Sequence, residues 1–411
     1  MVGLIMEYKY SEMELTKAET NNAIIVELAN VREHPNADRL KLATVLGTTV
    51  VVGLDAKNGD IVIYFDSNLR LGHEYLHHNN LYSDAGMNSD ISKKGYFGKN
   101  GRVRAQKFRG ELSNGYVADL MSLEFAYDGL MPLATWCEVG IEFTHINGVE
   151  ICTKFLLPVK HNKQGTGKPG KPKVRVANFH RHWDTKQLMR EMYKFKGPAM
   201  FYIEEKVHGT SGRIGHVRRT LHSPWWKFWA PKEDWKVMGG TRRTDHTHGS
   251  FAAARQEVER KVAPHLYKGE QIYFEIYGYS ANGGWIQKGF PYDCRPGENK
   301  VILYRVTITT PDGFVVDLDR EQVYRRADEL GLNRPHLFKK GWMWPEEMET
   351  EVYKYYTGLS ALDAGTMREG VVIWFQTEKG IWKCLKHKSE EFLIKESGNR
   401  DKGIGDVEDE L

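Results

Sequence analysis

At 411 residues the chain is long for one domain and fits two. Its 58 Lys and Arg against 54 Asp and Glu leave a formal charge of +4, too mild a bias to establish nucleic-acid binding, so local placement of charge has to carry any such reading. Four cysteines without Cys-x-x-Cys spacing argue against a zinc ribbon or a disulfide framework, and no apolar run reaches the ~18 residues of a transmembrane helix. With no signal-peptide pattern at Met1–Lys9, the expectation is a soluble, cytoplasmic protein with no membrane partner.

In chain order, residues 1–159 read as β-rich. Ala23–Leu28, Leu42–Gly47, Thr49–Leu54 and Ile61–Phe65 are short β-branched runs broken by Gly, Pro, Asn and Asp, a spacing that predicts a small barrel. Farther on, Arg102, Arg104, Lys107 and Arg109 put four cations into one strand-like stretch bounded by Gly101 and Gly110. The plainer reading is a solvated strand face; the alternative is a groove that follows a phosphate backbone. Residues 160–175 carry six cations, no acid and repeated Gly and Pro, and mark a flexible basic linker. Lys186–Phe195 has helical spacing. Ala199–Ile203 reads as a buried strand that delivers Lys206 to a glycine turn.

Four tryptophans within residues 225–235 are read as a packed segment, or else as a platform for stacking bases. His246 and His248 lack companions at ligand spacing and are taken as surface residues. Glu275 lies in the strand-like run Tyr273–Gly278, and Lys300–Ile308 alternates so that Tyr304 and Val306 should share a face. Glu321–Gly331 is an amphipathic helix stopped by glycine, and Glu349–Tyr356 is a second helix. Glu369 precedes the apolar run Gly370–Trp374, and Lys386 and Lys388 sit at i and i+2 on one side of a further strand. Residues 396–411 read as an acidic tail.

Lys206 is the candidate nucleophile. An ε-amine attacks only when neutral, and from an unperturbed pKa near ~10.4 that requires burial or neighbouring cations to bring it down. Taken singly, a lysine after a strand is most often a solvated end and Glu-Gly is commonly a turn. It is the order of these stretches that singles them out.

Glu204-Glu205-Lys206-Val207-His208-Gly209-Thr210, then Glu275, then Glu369-Gly370, then Lys386-His387-Lys388, resembles the nucleotidyltransferase motifs of the covalent ligase and capping-enzyme superfamily. The Lys-x-His-Gly form and Ile286-Gln287-Lys288-Gly289 are most similar to RNA ligases that seal nicks in duplex RNA. His34-Pro35-Asn36-Ala37-Asp38-Arg39-Leu40 resembles part of tRNA-binding oligonucleotide-binding (OB) modules. With only about twenty residues after Ser389, the arrangement is similar to RNA ligases with an N-terminal OB domain.

The resemblance implies an α+β chain: an OB-like barrel over 1–159, the linker, and a nucleotidyltransferase domain over 176–395 built on antiparallel sheets with flanking helices. It implies ATP-dependent joining of RNA 3′-OH and 5′-phosphate ends through lysyl-AMP, in RNA repair, by a monomer. The substrate it implies is a nicked duplex, with Mg²⁺ or Mn²⁺ held through water by Glu275 and Glu369. Catalysis falls to Lys206, His208, Lys386 and Lys388. Glu204, Glu205, Gly209, Arg243, Glu275, Tyr304, Val306 and Glu369 are expected at the nucleotide. Arg102, Arg104, Lys107, Arg109 and Arg242 are expected at nucleic acid. A GTP-dependent capping-type guanylyltransferase and a non-catalytic RNA-binding protein of this fold are the alternatives.

Overall fold

The protein is described by a computed structural model covering residues 13–127, 133–157, 178–192, 195–220, 233–242, 244–245 and 251–405. Its chain forms two compact units, one made of the residues up to Leu157 together with Leu393–Gly403, the other of those from 178 to Phe392 and on from Ile404.

In the first unit the strands are short and antiparallel. Ala23–Glu27 pairs with Ile61–Phe65, which pairs in turn with Tyr116–Asp119. Alternate residues of these strands enter two different cores: Ile25, Ile63 and Phe65 one, Ile24, Val26, Val62 and Tyr64 the other. Burial on both faces is why the runs are continuously apolar. Ala29–Glu33, Leu40–Val45 and Thr48–Gly53 make a second small sheet. Among the described residues the ladders of this unit remain separate sheets and do not close into a ring.

The basic stretch is a hairpin, Ala105–Phe108 with Glu111–Asn114, turned at Arg109 and Gly110, whose φ values are 46° and 95°. The His34–Asn36 turn braces it. His34 Nε2 meets the Phe108 carbonyl at 3.1 Å, and Asn36 donates to the Arg109 carbonyl at 2.8 Å.

The second unit holds two five-stranded sheets and so matches the expected antiparallel build, apart from one parallel pairing. The first runs Lys186–Gln187, Trp382–Lys388, Gly370–Gln376, Ala199–Lys206 and Leu337–Met343. The second runs Glu233–Gly240, Thr210–Thr220, Glu270–Gly278, Asn299–Thr309 and Val315–Asp317. Phe201, Ile203, Val371, Ile373 and Leu385 pack on the outer face of the first sheet with Met348 and Val352 of helix Pro345–Tyr355. Helices Ala252–Val262 and Arg320–Leu330 cover one face of the second sheet through Val258, Val323 and Ala327. As expected, the Arg320 helix stops at Gly331, in the left-handed conformation at φ 61°.

Two elements differ from expectation. Lys186 and Gln187 are drawn into a parallel ladder with Leu385 and Lys386, so the helix there covers only Leu188–Glu191. The last helix, Glu390–Asp401, runs well into the segment read as an acidic tail. All four cysteines are free and buried, and no described helix is long and apolar enough to cross a membrane.

Candidate active site

The chain passes from one sheet of the second unit to the other between Lys206, the last residue of its strand, and Thr210, the first of the next. Gly209 is required in that crossing, because a Cβ there would stand 2.2 Å from the Ile276 carbonyl. Gln287 holds the same turn by donating to the Gly209 carbonyl at 2.8 Å. Lys206 thus ends one sheet at the point where the other begins.

Pairing register gathers the remaining charges. Lys206 lies opposite Gly370, and Gly370 opposite Lys388; one row over, Glu204 lies opposite Val372, and Val372 opposite Lys386. Since alternate residues share a face, Lys206, Lys386 and Lys388 project to one side. Gly370 permits the close approach, since a Cβ there would sit 2.1 Å from the His387 carbonyl.

Glu369, only 1% exposed, is the hub. Its Oε2 accepts from Lys206 Nζ at 2.8 Å and lies 3.7 Å from His208 Nδ1, while Oε1 is 3.5 Å from Lys388 Nζ. Burial pushes the Glu369 carboxyl up, but Lys206, Lys388 and His208 outweigh it and hold the group below the usual range. Glu275 receives the Ser211 hydroxyl at 2.9 Å.

Lys206 departs from expectation. Burial drives its pKa down, but Glu369 alongside more than offsets this, and the net is a lysine held above its ordinary range. Lys388 lowers its pKa too without overcoming Glu369, and the cations prevail only at Lys386, which burial together with Lys388, Lys206 and Arg242 pulls down to about 8.

His208 is gripped on three sides. Its ring meets Phe290 and Phe392 edge-on, each at 4.9 Å, and its backbone N–H donates to the Tyr292 hydroxyl at 2.9 Å. Phe392 also lies 4.8 Å beneath the Lys388 ammonium. Arg242 pairs with Asp184 at 2.6 Å. Arg243 lies outside the described residues, as do the tryptophans at 225, 226 and 229 and the histidines at 246 and 248. Trp235 is described, with its ring 5.7 Å from His216.

Other expected site residues are placed differently. Val306 is fully buried in the core under the two helices, whereas Tyr304 packs against the other sheet with Trp183 and Val372. The two part because the ladder slips between Tyr273 and Phe274, leaving Tyr304 as the extra residue of a bulge and breaking the alternation. Glu204 is consumed by Arg320, whose Nη2 lies 2.6 and 2.7 Å from its two oxygens. Glu205, the next residue along the strand, points to the opposite face and accepts from the Ala361 amide at 2.9 Å.

In the first unit Arg102 is no surface cation. It is 2% exposed and donates to Asp401 at 2.7 Å and to the Ser397 carbonyl at 2.9 Å. Arg104 also meets Asp401, at 3.2 Å. Of the four expected contacts only Lys107 and Arg109 stand exposed.

Sequence reasoning did not find Ser211, Tyr292, Val372 or Phe392. Val372 was within reach, being two residues beyond Gly370 on the face that carries the lysines. Tyr292 and Phe392 come from distant segments with no local pattern to flag them.

No protein-family model matches the chain, and no curated protein matches it. Solved structures do. A Naegleria gruberi RNA ligase with PPi has a TM-score of 0.58 at 18% identity, covering 92% of this chain and 98% of that one. A mutant of the Naegleria gruberi RNA ligase with ATP and Mn gives 0.58 at 17%, over 92% and 99%. An apo mutant gives 0.57 at 16%, over 91% and 98%. At such identities the likeness is one of fold, and it extends over both units.

Proposed function

We propose that the protein is an ATP-dependent RNA ligase of the covalent nucleotidyltransferase superfamily, joining 3′-OH and 5′-phosphate ends through a lysyl-AMP intermediate, with nicks in duplex RNA as its preferred substrate. The observation that carries this is the convergence of Lys206, His208 and Lys388 on the buried carboxylate of Glu369, with Lys386 one register row away. The shared fold with an RNA ligase solved with ATP and Mn supports it.

The donor set suits a polyphosphate and a hydrated cation. Three lysines and Arg242 match the anion, and two carboxylates, Glu275 and Glu369, suffice for an ion that keeps most of its own waters. Among the described residues no cluster of three or more His, Cys, Asp or Glu forms a direct cage. When bound, Mg²⁺ or Mn²⁺ supplies positive charge against the polyphosphate.

Lys206 must first lose its proton: Glu369 Oε2, 2.8 Å away, holds it as an ammonium at rest, and once that carboxylate is drawn toward a bound cation, burial and Lys388 would favour release of the proton to water. The amine lone pair then forms the N–P bond at the α-phosphorus as the bond to the bridging oxygen breaks, and pyrophosphate leaves with that electron pair. Charge gathers on the phosphate oxygens, where Lys386 and Lys388 stabilise it. His208, fixed by its aromatic neighbours, contacts the nucleotide, and Tyr304 stacks on the base. AMP next passes to a 5′-phosphate, and a 3′-hydroxyl displaces it to form the phosphodiester. The first unit, read as an OB-like module, grips the duplex through Lys107 and Arg109.

Incubation with α-labelled ATP or GTP and a divalent ion, followed by a denaturing gel, tests this. ATP should label the parent through an acid-labile bond, and Lys206→Ala should remove the label. Labelling that survives the substitution, or that needs GTP, would overturn the assignment.

A further inference from the structure

Arg320 opens the helix Arg320–Leu330 and is 1% exposed, as is the Glu204 it pairs with. Its Nε and Nη2 form a fork onto Glu204, at 2.8 Å and 2.6 Å to Oε1, while Nη1 donates to the Tyr304 carbonyl at 2.7 Å. The guanidinium lies 4.5 Å over the Trp374 ring, and Tyr324 from the same helix donates its hydroxyl to Glu204 as well. Glu204 is two residues before Lys206 on the same strand face, and Tyr304 is the bulged residue of the facing sheet.

A buried ion pair is a poor way to gain stability, because the desolvation of two charges consumes most of the attraction and apolar replacements are often no less stable. The geometry here is what apolar side chains cannot copy. A planar guanidinium serves a carboxylate bidentately and a main-chain carbonyl at the same time, whereas an ammonium is a point charge.

We propose that Arg320 is a positioning residue for nucleotide selection: one guanidinium clamps the strand ending in Lys206 to the bulge that presents Tyr304, and so sets the spacing between the nucleophile and the wall that receives the base. This rests on the adenylylation reading of the same site. The clamp acts on how well, and which, nucleotide is held. It has no part in the bond-making at phosphorus.

Two variants test it. Arg320→Lys keeps a charge for Glu204 but cannot also hold the Tyr304 carbonyl, and the double variant Glu204→Met/Arg320→Met replaces the pair with apolar volume. For each, the melting temperature, the ATP dissociation constant and the relative labelling by ATP and GTP are measured, with the labelling rate at saturating ATP. We expect the double variant to melt near the parent, with ATP affinity weakened by about 10-fold or more and the saturated rate changing much less. Preference for ATP over GTP should narrow in both.

Unchanged affinity and preference in a folded variant would overturn the role of Arg320. If neither variant folds, the pair is a folding element and the proposal falls. A parent that no nucleotide labels would remove the adenylylation reading itself, whereas a labelled parent with unaltered variants removes only the clamp.

Discussion

Lys206 and Lys386 divide between them two properties that the sequence reading assigned to one residue. Lys206 rests as an ammonium against Glu369, and Lys386 is the lysine depressed to about 8. Lys386 must be charged to stabilise the transition state, so kcat/KM for adenylylation should fall as pH rises through about 8, the free-enzyme value. Lys386→Arg, which keeps its charge, should move that basic limb upward; a limb that stays in place would assign it to another group. Lys386→Met should slow labelling by about 100-fold. It should not destabilise the protein. The folded state penalises the charged form, so stability rises with pH from about 8 toward the unfolded lysine value, and removing the charge should leave the melting temperature at pH 7 unchanged or higher. A large drop in melting would make Lys386 structural.

Elements whose character rests on local pattern were legible. The strand before Lys206, the helix closed by Gly331 and the apolar strand after Glu369 all form where periodicity and caps place them. What local pattern cannot carry is register. One slipped pairing beside Tyr304 sent Val306 into the core, and a two-residue parallel ladder shortened the helix expected from Lys186. Long-range charge was equally hidden: Arg102 looks like a surface cation in its stretch, yet its partners lie 295 or more residues away. That contact makes a prediction for its own unit. Arg102→Met should cost about 2 kcal/mol of stability, as expected for lost charge-assisted hydrogen bonds, read by denaturant titration. Arg109→Ala, exposed at a hairpin tip, should cost far less, and equal losses would refute the distinction.

For the molecule as a whole, the proposed division of labour puts chemistry in the second unit and duplex contact in the first. Sealing should then weaken steeply with salt, and Lys107→Ala and Arg109→Ala should each reduce the slope of log affinity against log salt by about one. Unchanged slopes would take the hairpin out of the interface. A nick holds both ends by base pairing and spares the enzyme the entropy of bringing them together, so nicked RNA should be sealed faster than single-stranded RNA. An RNA-type 3′-OH strand should matter most, because its 2′-hydroxyl lies beside the attacking oxygen. Equal rates on all-DNA and all-RNA nicks would contradict this, and faster circularisation of a single strand would point to loop repair.

The first unit closes with Leu393–Gly403, where Ser397 and Asp401 satisfy Arg102. During synthesis, then, Arg102 leaves the ribosome nearly 300 residues ahead of Asp401. At ~5–20 residues per second that interval is roughly 15–60 s, far longer than the microseconds in which a hairpin forms. The N-terminal part of this unit must wait, partly built and with its guanidinium lacking Asp401, while the second unit is made, and it is completed only as the end of the last helix emerges.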